Sequence, residues 1–462
     1  MKTTAKRGFV VLFLVVAVTV GMVFLGIKFS TNAEKWAMLR ANSHLTQDGS
    51  FIAAGNIVDR NGEVLAKTED GDRVYNNSER IRRSTLHIVG DSEGYIASGV
   101  QTAYQRELVG YSPVNGMFPL KKYGRGNDVK LTLDSEVCAA AYDALDGEKG
   151  VIAVYNYKTG ELICSVSSPN FDIRNKPSSK EISEGEDDKY SGIYMNRLID
   201  GLYTPGSVFK IITSAAAIEN KADISDWSYT CTGKTYINGV KVTCPSSHGK
   251  LDFKSAFECS CNCAYAELAV TLGADVLTNT AKEFGFGQSF SFGNKMTQSS
   301  IFDLSGCEES DLAWAGVGQY TTLVNPYHML TVAGAVANGG TAVLPFAVDE
   351  VTSPSGKIIQ KNVLQTREYI SENTANLLGE MMRNNVENNY GDWRFPSLKM
   401  CGKTGTAEVG DGKKPHAWFL GFSKNPEYPL AVAVVIENGG WGGQTAVPVA
   451  SEVMKAAQKS LS

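Results

Sequence analysis

Tyr203-Thr204-Pro205-Gly206-Ser207-Val208-Phe209-Lys210-Ile211-Ile212-Thr213-Ser214-Ala215-Ala216-Ala217 is the stretch from which the rest of the chain is read. Thr204 suits a helix cap and Pro205 a first helical position. The apolar run around Lys210 predicts a buried helix from Ser207 to Asn220. Ser207 and Lys210 then sit one turn apart on the same face. There the amine can take the serine proton if burial and a neighbouring cation lower its pKa. The N–H groups of the first turn favour negative charge developing at the same place.

Taken alone, Ser-x-x-Lys is a weak signal, because Ser247-His248-Gly249-Lys250 repeats it in a turn-rich stretch. Ser-x-Asn occurs at 260–262 and, among other places, at 371–373 and 423–425, and Lys-Thr-Gly at 158–160 and 403–405. Order and context separate them. One combination sets the serine at a buried helix start, then Ser260-Cys261-Asn262, then Lys403-Thr404-Gly405-Thr406 ahead of a run of strands.

Outward from these motifs, Gly55 to Ala66 places short apolar runs on either side of Asn61-Gly62 and predicts a hairpin. From Arg73 to Lys122 the text is polar, Gly-rich and weakly periodic, which predicts a small module with modest secondary structure. A boundary is expected at Tyr123 to Gly126, then an apolar run at Val129 to Leu133 and a helix from Ser135 to Leu145 capped by Asp134. Val151 to Tyr155 and Glu161 to Val166 predict a second hairpin, and the charged, Ser-rich 173–192 a surface loop. Helices are expected at Leu251 to Leu272 in two parts and at Pro326 to Asn338. Strands are expected at Lys399 to Thr406, His416 to Ser423 and Leu430 to Glu437, and a closing helix at Val447 to Ser460. The fold class is therefore α/β (α+β), with an antiparallel sheet packed between helical layers.

The 462 residues carry a formal net charge of −5, and four bases fall within the first 30, so the remainder is more acidic still. That balance excludes a nucleic-acid partner. Gly8 to Ile27 is free of charge and is flanked by Lys2, Lys6, Arg7 and Lys28. About 20 apolar residues span ~30 Å of hydrocarbon, and the basic flank places the N-terminus in the cytoplasm with the rest of the chain outside the cell membrane, a single pass. A cleaved signal, with its usual run of roughly 7–15 apolar residues, is the alternative. Residues 31–54 read as a stalk. The expected division is 1–30 as tail and anchor, 31–125 as an N-terminal non-catalytic module and 126–462 as the catalytic domain.

Nine cysteines is an odd number, so at least one stays unpaired in a monomer. Cys231 and Cys244 bracket Asn238-Gly239, whose turn would bring them together; a disulfide there and burial as free thiols both remain open. Cys259, Cys261 and Cys263 crowd one segment, but no His or Cys completes a set at zinc-finger spacing, so no metal is expected.

In their order, the three motifs resemble those of the class B penicillin-binding proteins, the serine D,D-transpeptidases of peptidoglycan. Gly55 to Ala66, Leu131-Thr132-Leu133-Asp134, Ser168-Pro169, Asn196-Arg197 and His416-Ala417-Trp418-Phe419 are similar to that family as well. Gly318-Gln319-Tyr320 departs from the family's usual Gly-Gln-Gly. The resemblance implies a penicillin-binding transpeptidase fold, with Ser207 as nucleophile, Lys210 as base, Ser260 as proton relay, Asn262 holding Lys210 and the donor peptide, and Lys403 adding a positive field. It implies that Thr404, Gly405 and Thr406 line the substrate site, with the N–H groups of Ser207 and Thr406 as the oxyanion hole. It also implies stem peptides and β-lactams as ligands, a membrane glycan polymerase as partner, and no cofactor.

A His-based serine hydrolase is disfavoured, since Ser207 lacks the Gly-x-Ser-x-Gly elbow. A bifunctional polymerase is disfavoured by the short text ahead of the catalytic opening. Carboxypeptidase and β-lactamase remain as alternatives within the fold; a membrane β-lactam sensor and a silent scaffold are the alternatives from another class. His416 is read as a structural histidine and Trp418 and Phe419 as core.

Overall fold

The computed structural model describes residues 2–37, 46–47, 50–51, 54–111, 125–184, 189–410 and 412–462. Part of the expected stalk, Tyr123 and Gly124 of the expected boundary, and 185–188 of the expected surface loop lie outside them. Helix α1 (Lys2–Ala37) takes in the whole N-terminal apolar run. Within it Thr4–Asn32 contains an 18-residue window of mean hydropathy 3.0, none of it buried, and has the length and composition of a membrane-crossing helix.

Strands β1 (Ile57–Val58) and β2 (Val64–Glu69) form the expected hairpin, with Gly62 at φ +90° in its turn, and β3 (Asp72–Tyr75) extends it. Helix α2 (Glu79–Val89) is more structure than the polar text predicted. Ser78 caps it by accepting from the Ile81 N–H. Its buried face carries Arg82, which donates to both oxygens of Asp172 at 2.6 and 2.7 Å, and His87, whose Nε2 lies 2.8 Å from the Ile193 carbonyl. Ile81, Leu86, Ile88 and Val89 are buried on the same face, so the helical apolar period is present but is carried by few residues in an otherwise polar stretch. Strand β4 (Asp128–Leu131) then runs parallel to β1.

Helix α3 (Ser135–Leu145) begins as expected, with the Asp134 carboxylate accepting from the N–H groups of Glu136 and Val137. After β5 (Gly150–Asn156) and β6 (Leu162–Ser168), a tight 3₁₀ turn at Gly206–Phe209 leads into α4 (Lys210–Asn220). Strands β7 (Ser228–Cys231), β8 (Lys234–Ile237), β9 (Val240–Thr243) and β10 (Gly249–Asp252) make two small ribbons, β7 with β10 and β8 with β9. The expected two-part helix follows as α5 (Phe253–Glu258) and α6 (Asn262–Leu272). The chain continues through α7 (Pro326–Ala337), β11 (Val348–Thr352), β12 (Ile358–Lys361) and α8 (Glu372–Asn385). It closes with β13 (Met400–Ala407), β14 (His416–Ser423), β15 (Leu430–Ile436) and α9 (Ala446–Leu461).

The catalytic half is built on an antiparallel sheet in the order β13-β14-β15-β5-β6. Every residue of β15 and β6 is buried, which an alternating half-exposed strand could not be. Helices α3 and α9 pack together against this sheet, and α7 and α8 make the second helical layer. A second sheet, β12-β11-β4-β1-β2-β3, draws strands from both sides of residue 125. The expected division at that point therefore runs through one sheet, and Ile57 and Leu65 share a continuous core with Val434 and Ala450.

Candidate active site

The nucleophile turn departs from the simple helix start expected of Thr204 and Pro205. Thr204 makes no cap; its carbonyl instead accepts from Trp418 Nε1 at 3.0 Å. The chain turns at Gly206, φ +53°, and enters a 3₁₀ turn in which Ser207 is half-buried. A Cβ at Gly206 would meet the Thr406 carbonyl oxygen at 2.7 Å, so only glycine lets this turn lie against β13. Gly318 closes the same contact from behind. It accepts from the Gly206 N–H at 2.9 Å, and a Cβ on it would lie 2.0 Å from the Gly206 oxygen. Two details of the site, the positive φ of Gly206 and the role of Gly318, were not legible from the motifs.

Lys210 is the first residue of α4, and its side chain is fully buried. Its Nζ lies 3.2 Å from Ser207 Oγ, 2.7 Å from the Ser260 carbonyl, 3.2 Å from Ser260 Oγ and 2.8 Å from Asn262 Oδ1. The four contacts come from the two motifs that the sequence placed together. Ser260 sits between α5 and α6 at φ +54°, a left-handed conformation that serine rarely adopts. Asn262 is tied in turn by its Nδ2, which donates to the Thr243 carbonyl at 3.1 Å.

Lys403, on β13, is also fully buried and donates to Ser260 Oγ at 2.9 Å. The Ser260 hydroxyl thus lies between two amines. Burial pushes the Lys403 amine down to about 7. Burial, and then the positive charge of Lys403, push Lys210 down to about 7 as well. Removing an ammonium from water disfavours its charged form, and a second cation nearby adds to the effect. An amine with a pKa near neutrality serves as a base at physiological pH.

β13 is an edge strand, so alternate backbone groups point away from β14. The Thr404 N–H is one of these, donating to the Tyr390 hydroxyl at 3.2 Å; the same hydroxyl lies 3.0 Å from Thr404 Oγ1. Thr406, two residues further on, presents its backbone on that side too. Its Oγ1 accepts from the Gly442 N–H at 3.3 Å. Gly405 faces the nucleophile turn, where a Cβ would meet the Pro205 oxygen at 2.7 Å. Tyr390 carries no motif and could be found only in three dimensions.

His416 accepts the Asn438 N–H at Nδ1 (3.0 Å) and packs edge-on to Tyr203 with ring centroids 5.6 Å apart, outside this hydrogen-bonded group, while Trp418 and Phe419 are fully buried. Of the two alternatives left open for the cysteines, the structure has the free thiols. All nine are described and none is in a disulfide, Cys231 and Cys244 included. Cys259 Sγ points back to the Ala256 carbonyl at 3.9 Å, whereas Cys231 lies against His248 and Cys244 against Cys261.

This arrangement has known counterparts. The profile of the penicillin binding protein transpeptidase domain matches residues 150–455. The peptidoglycan D,D-transpeptidase PbpA of Mycobacterium tuberculosis is 28% identical over 360 residues, 72% of this chain and 73% of that one. PbpA of Mycolicibacterium smegmatis is 26% identical over 451 residues, 90% and 89% of the two chains. A ceftriaxone acyl-enzyme complex of penicillin-binding protein A from M. tuberculosis has a similar structure, with a TM-score of 0.77 at 25% identity over 88% of this chain and 98% of that one. A profile match over most of the chain, laid on a five-stranded sheet whose edge meets the Ser207 turn, makes this protein a member of the penicillin-binding protein transpeptidase family.

Proposed function

We propose that the protein is a serine D-Ala-D-Ala transpeptidase that cross-links peptidoglycan stem peptides and is acylated and inhibited by β-lactams. The observation that carries this reading is the buried amine of Lys210, whose Nζ lies within 3.2 Å of Ser207 Oγ and is bonded to both Ser260 and Asn262. Lys210 takes the Ser207 proton as Oγ attacks the carbonyl carbon of the penultimate D-Ala. Negative charge moves to the carbonyl oxygen, which the N–H groups of Ser207 and Thr406 receive, at roughly 3 kcal/mol per donor. The C–N bond then breaks. Ser260, lying between Lys210 and Lys403, passes a proton to the departing D-Ala nitrogen. An acceptor amine attacks the ester, its proton returns to Ser207 Oγ, and the new amide is the cross-link. Lys403 supplies positive field, Asn262 steadies Lys210 and the donor backbone, and Thr404, Gly405 and Thr406 line the strand along which the donor lies, the threonine hydroxyls meeting its terminal carboxylate.

In the same reading α1 anchors the chain in the cell membrane with its N-terminus in the cytoplasm, residues 31–125 act as a non-catalytic module, and 126–462 hold the transpeptidase. A membrane glycan polymerase supplies the strands to be joined. The test is mass spectrometry of the full-length protein in detergent after exposure to penicillin. One adduct on Ser207, persisting for minutes and absent from Ser207→Ala, is expected, together with exchange of the terminal D-Ala of peptide or thioester donors. Rapid turnover of penicillin without an adduct would instead make the protein a β-lactamase.

A further inference from the structure

We propose that the protein binds one zinc ion, or a cation of the same thiophilic, tetrahedral class, through Cys231, Cys244, His248 and Cys261. These residues come from the end of β7, the loop after β9, the turn before β10 and the start of α6. Their donor atoms all lie within 4.8 Å of one another. Cys231 Sγ is 3.5 Å from His248 Nδ1, and Cys244 Sγ is 3.6 Å from Cys261 Sγ. Metal–sulfur bonds of about 2.3 Å at tetrahedral angles set sulfur–sulfur edges of about 3.8 Å. The observed separations are thus those of ligands around a shared centre, and well beyond the ~2.05 Å of a disulfide.

The surroundings suit thiolates. Cys231 Sγ accepts from the Gly233 N–H, Cys244 Sγ from the Cys263 N–H and Cys261 Sγ from the Ala264 N–H, each at 3.4 Å. Backbone donors of this kind hold and orient metal-bound sulfur. The Ser247 hydroxyl donates to the Cys231 carbonyl at 2.8 Å and closes the loop that carries His248. Three sulfurs and one imidazole nitrogen select zinc over the hard cations, which take oxygen. Cys263 stays outside the set. Although 3.5 Å from Cys244 Sγ, its sulfur turns to the Val242 carbonyl at 3.7 Å.

The spacing 231, 244, 248, 261 matches no zinc-finger pattern, which is why the sequence predicted no metal. Folding supplies what spacing does not, since two ribbons bring three of the donors to the residue between Ser260 and Asn262. The ion therefore fastens the β7–β10 insert to the turn that holds Lys210, and it acts as a positioning group for Ser260 at its unfavourable φ. This second step rests on the proposed transpeptidase mechanism; metal content does not.

The experiment measures zinc by elemental mass spectrometry in full-length protein purified in detergent under reducing conditions, before and after incubation with zinc alone. About one ion per chain is expected, replaceable by cobalt with a thiolate-to-cobalt charge-transfer band. His248→Ala and Cys231→Ser should lose the ion, and Cys263→Ser should keep it. Penicillin acylation of the chelated protein should slow about tenfold and recover with zinc, the range expected when a group that orients a site is lost. Metal below a tenth of an equivalent after zinc loading, a Cys231–Cys244 disulfide in the peptide map, or loss of the ion from Cys263→Ser but not His248→Ala would overturn the assignment. Full zinc occupancy with unchanged acylation on chelation would overturn the positioning role.

Discussion

In the proposed mechanism, Lys210 and Lys403 set how the site responds to pH. Both amines are held at about 7 in the folded protein, by burial first and, for Lys210, by Lys403 next. Acylation by penicillin should therefore rise with pH through an apparent midpoint near 7, as Lys210 loses its proton. Lys403→Gln removes the nearby cation and should move that midpoint upward, while Lys210→Ala should abolish acylation in a folded protein. A profile flat from pH 5.5 to 8.5 would remove Lys210 as the base. The linkage to stability follows from the same values. An unfolded lysine titrates near 10.4, so between about 7 and 10.4 the unfolded chain binds more protons and stability rises with pH; below 7 the full cost of two buried ammoniums remains. These residues were legible because their chemistry requires particular side chains in a fixed order. Tyr390 and His248 were not, because each acquires its role only from what the fold places beside it.

At the scale of elements, the nucleophile turn depends on two glycines in contact across the site. Gly318→Ala would drive a Cβ to 2.0 Å from the Gly206 oxygen and should cost acylation by a hundredfold or more, through misplacement of Ser207 by about 1 Å. Tyr390→Phe is milder. It leaves the Thr404 N–H without its acceptor, and a loss of about 1 kcal/mol, roughly fivefold, should fall on KM for the peptide donor rather than on penicillin binding to Ser207. Steady-state kinetics of both variants beside their thermal melting separates a displaced site from an unfolded one. The elements themselves were read with uneven success. His416–Ser423 and Ser135–Leu145 matched to the residue, since a continuous apolar run and an Asp N-cap are local signals. Helix α2 carried a readable period in Ile81, Leu86, Ile88 and Val89, but its many polar residues outweighed it; that Arg82 and His87 are buried as well depends on Asp172 and Ile193, some hundred residues further along.

For the molecule as a whole, the sheet β12-β11-β4-β1-β2-β3 and the shared core predict that residues 54–111 do not melt separately from the catalytic half. Calorimetry should give one cooperative transition, and Ile57→Asp, which puts a charge at a fully buried position, should lower that single midpoint. A resolved early transition in the wild-type protein would show two independent units. A linear sequence marks where its composition changes at 125, but not that β4 returns to pair with β1.

The catalytic sheet also orders events in time. β5 is an interior strand, yet its neighbour β15 is made roughly 280 residues later, with Gly150 paired to Ile436. A nascent chain therefore carries the first hairpin of the sheet with one side open until almost the last residue has been synthesised. No copy that ends before Lys403 can bring that amine to Ser260, so in the proposed mechanism the site is assembled only late in synthesis.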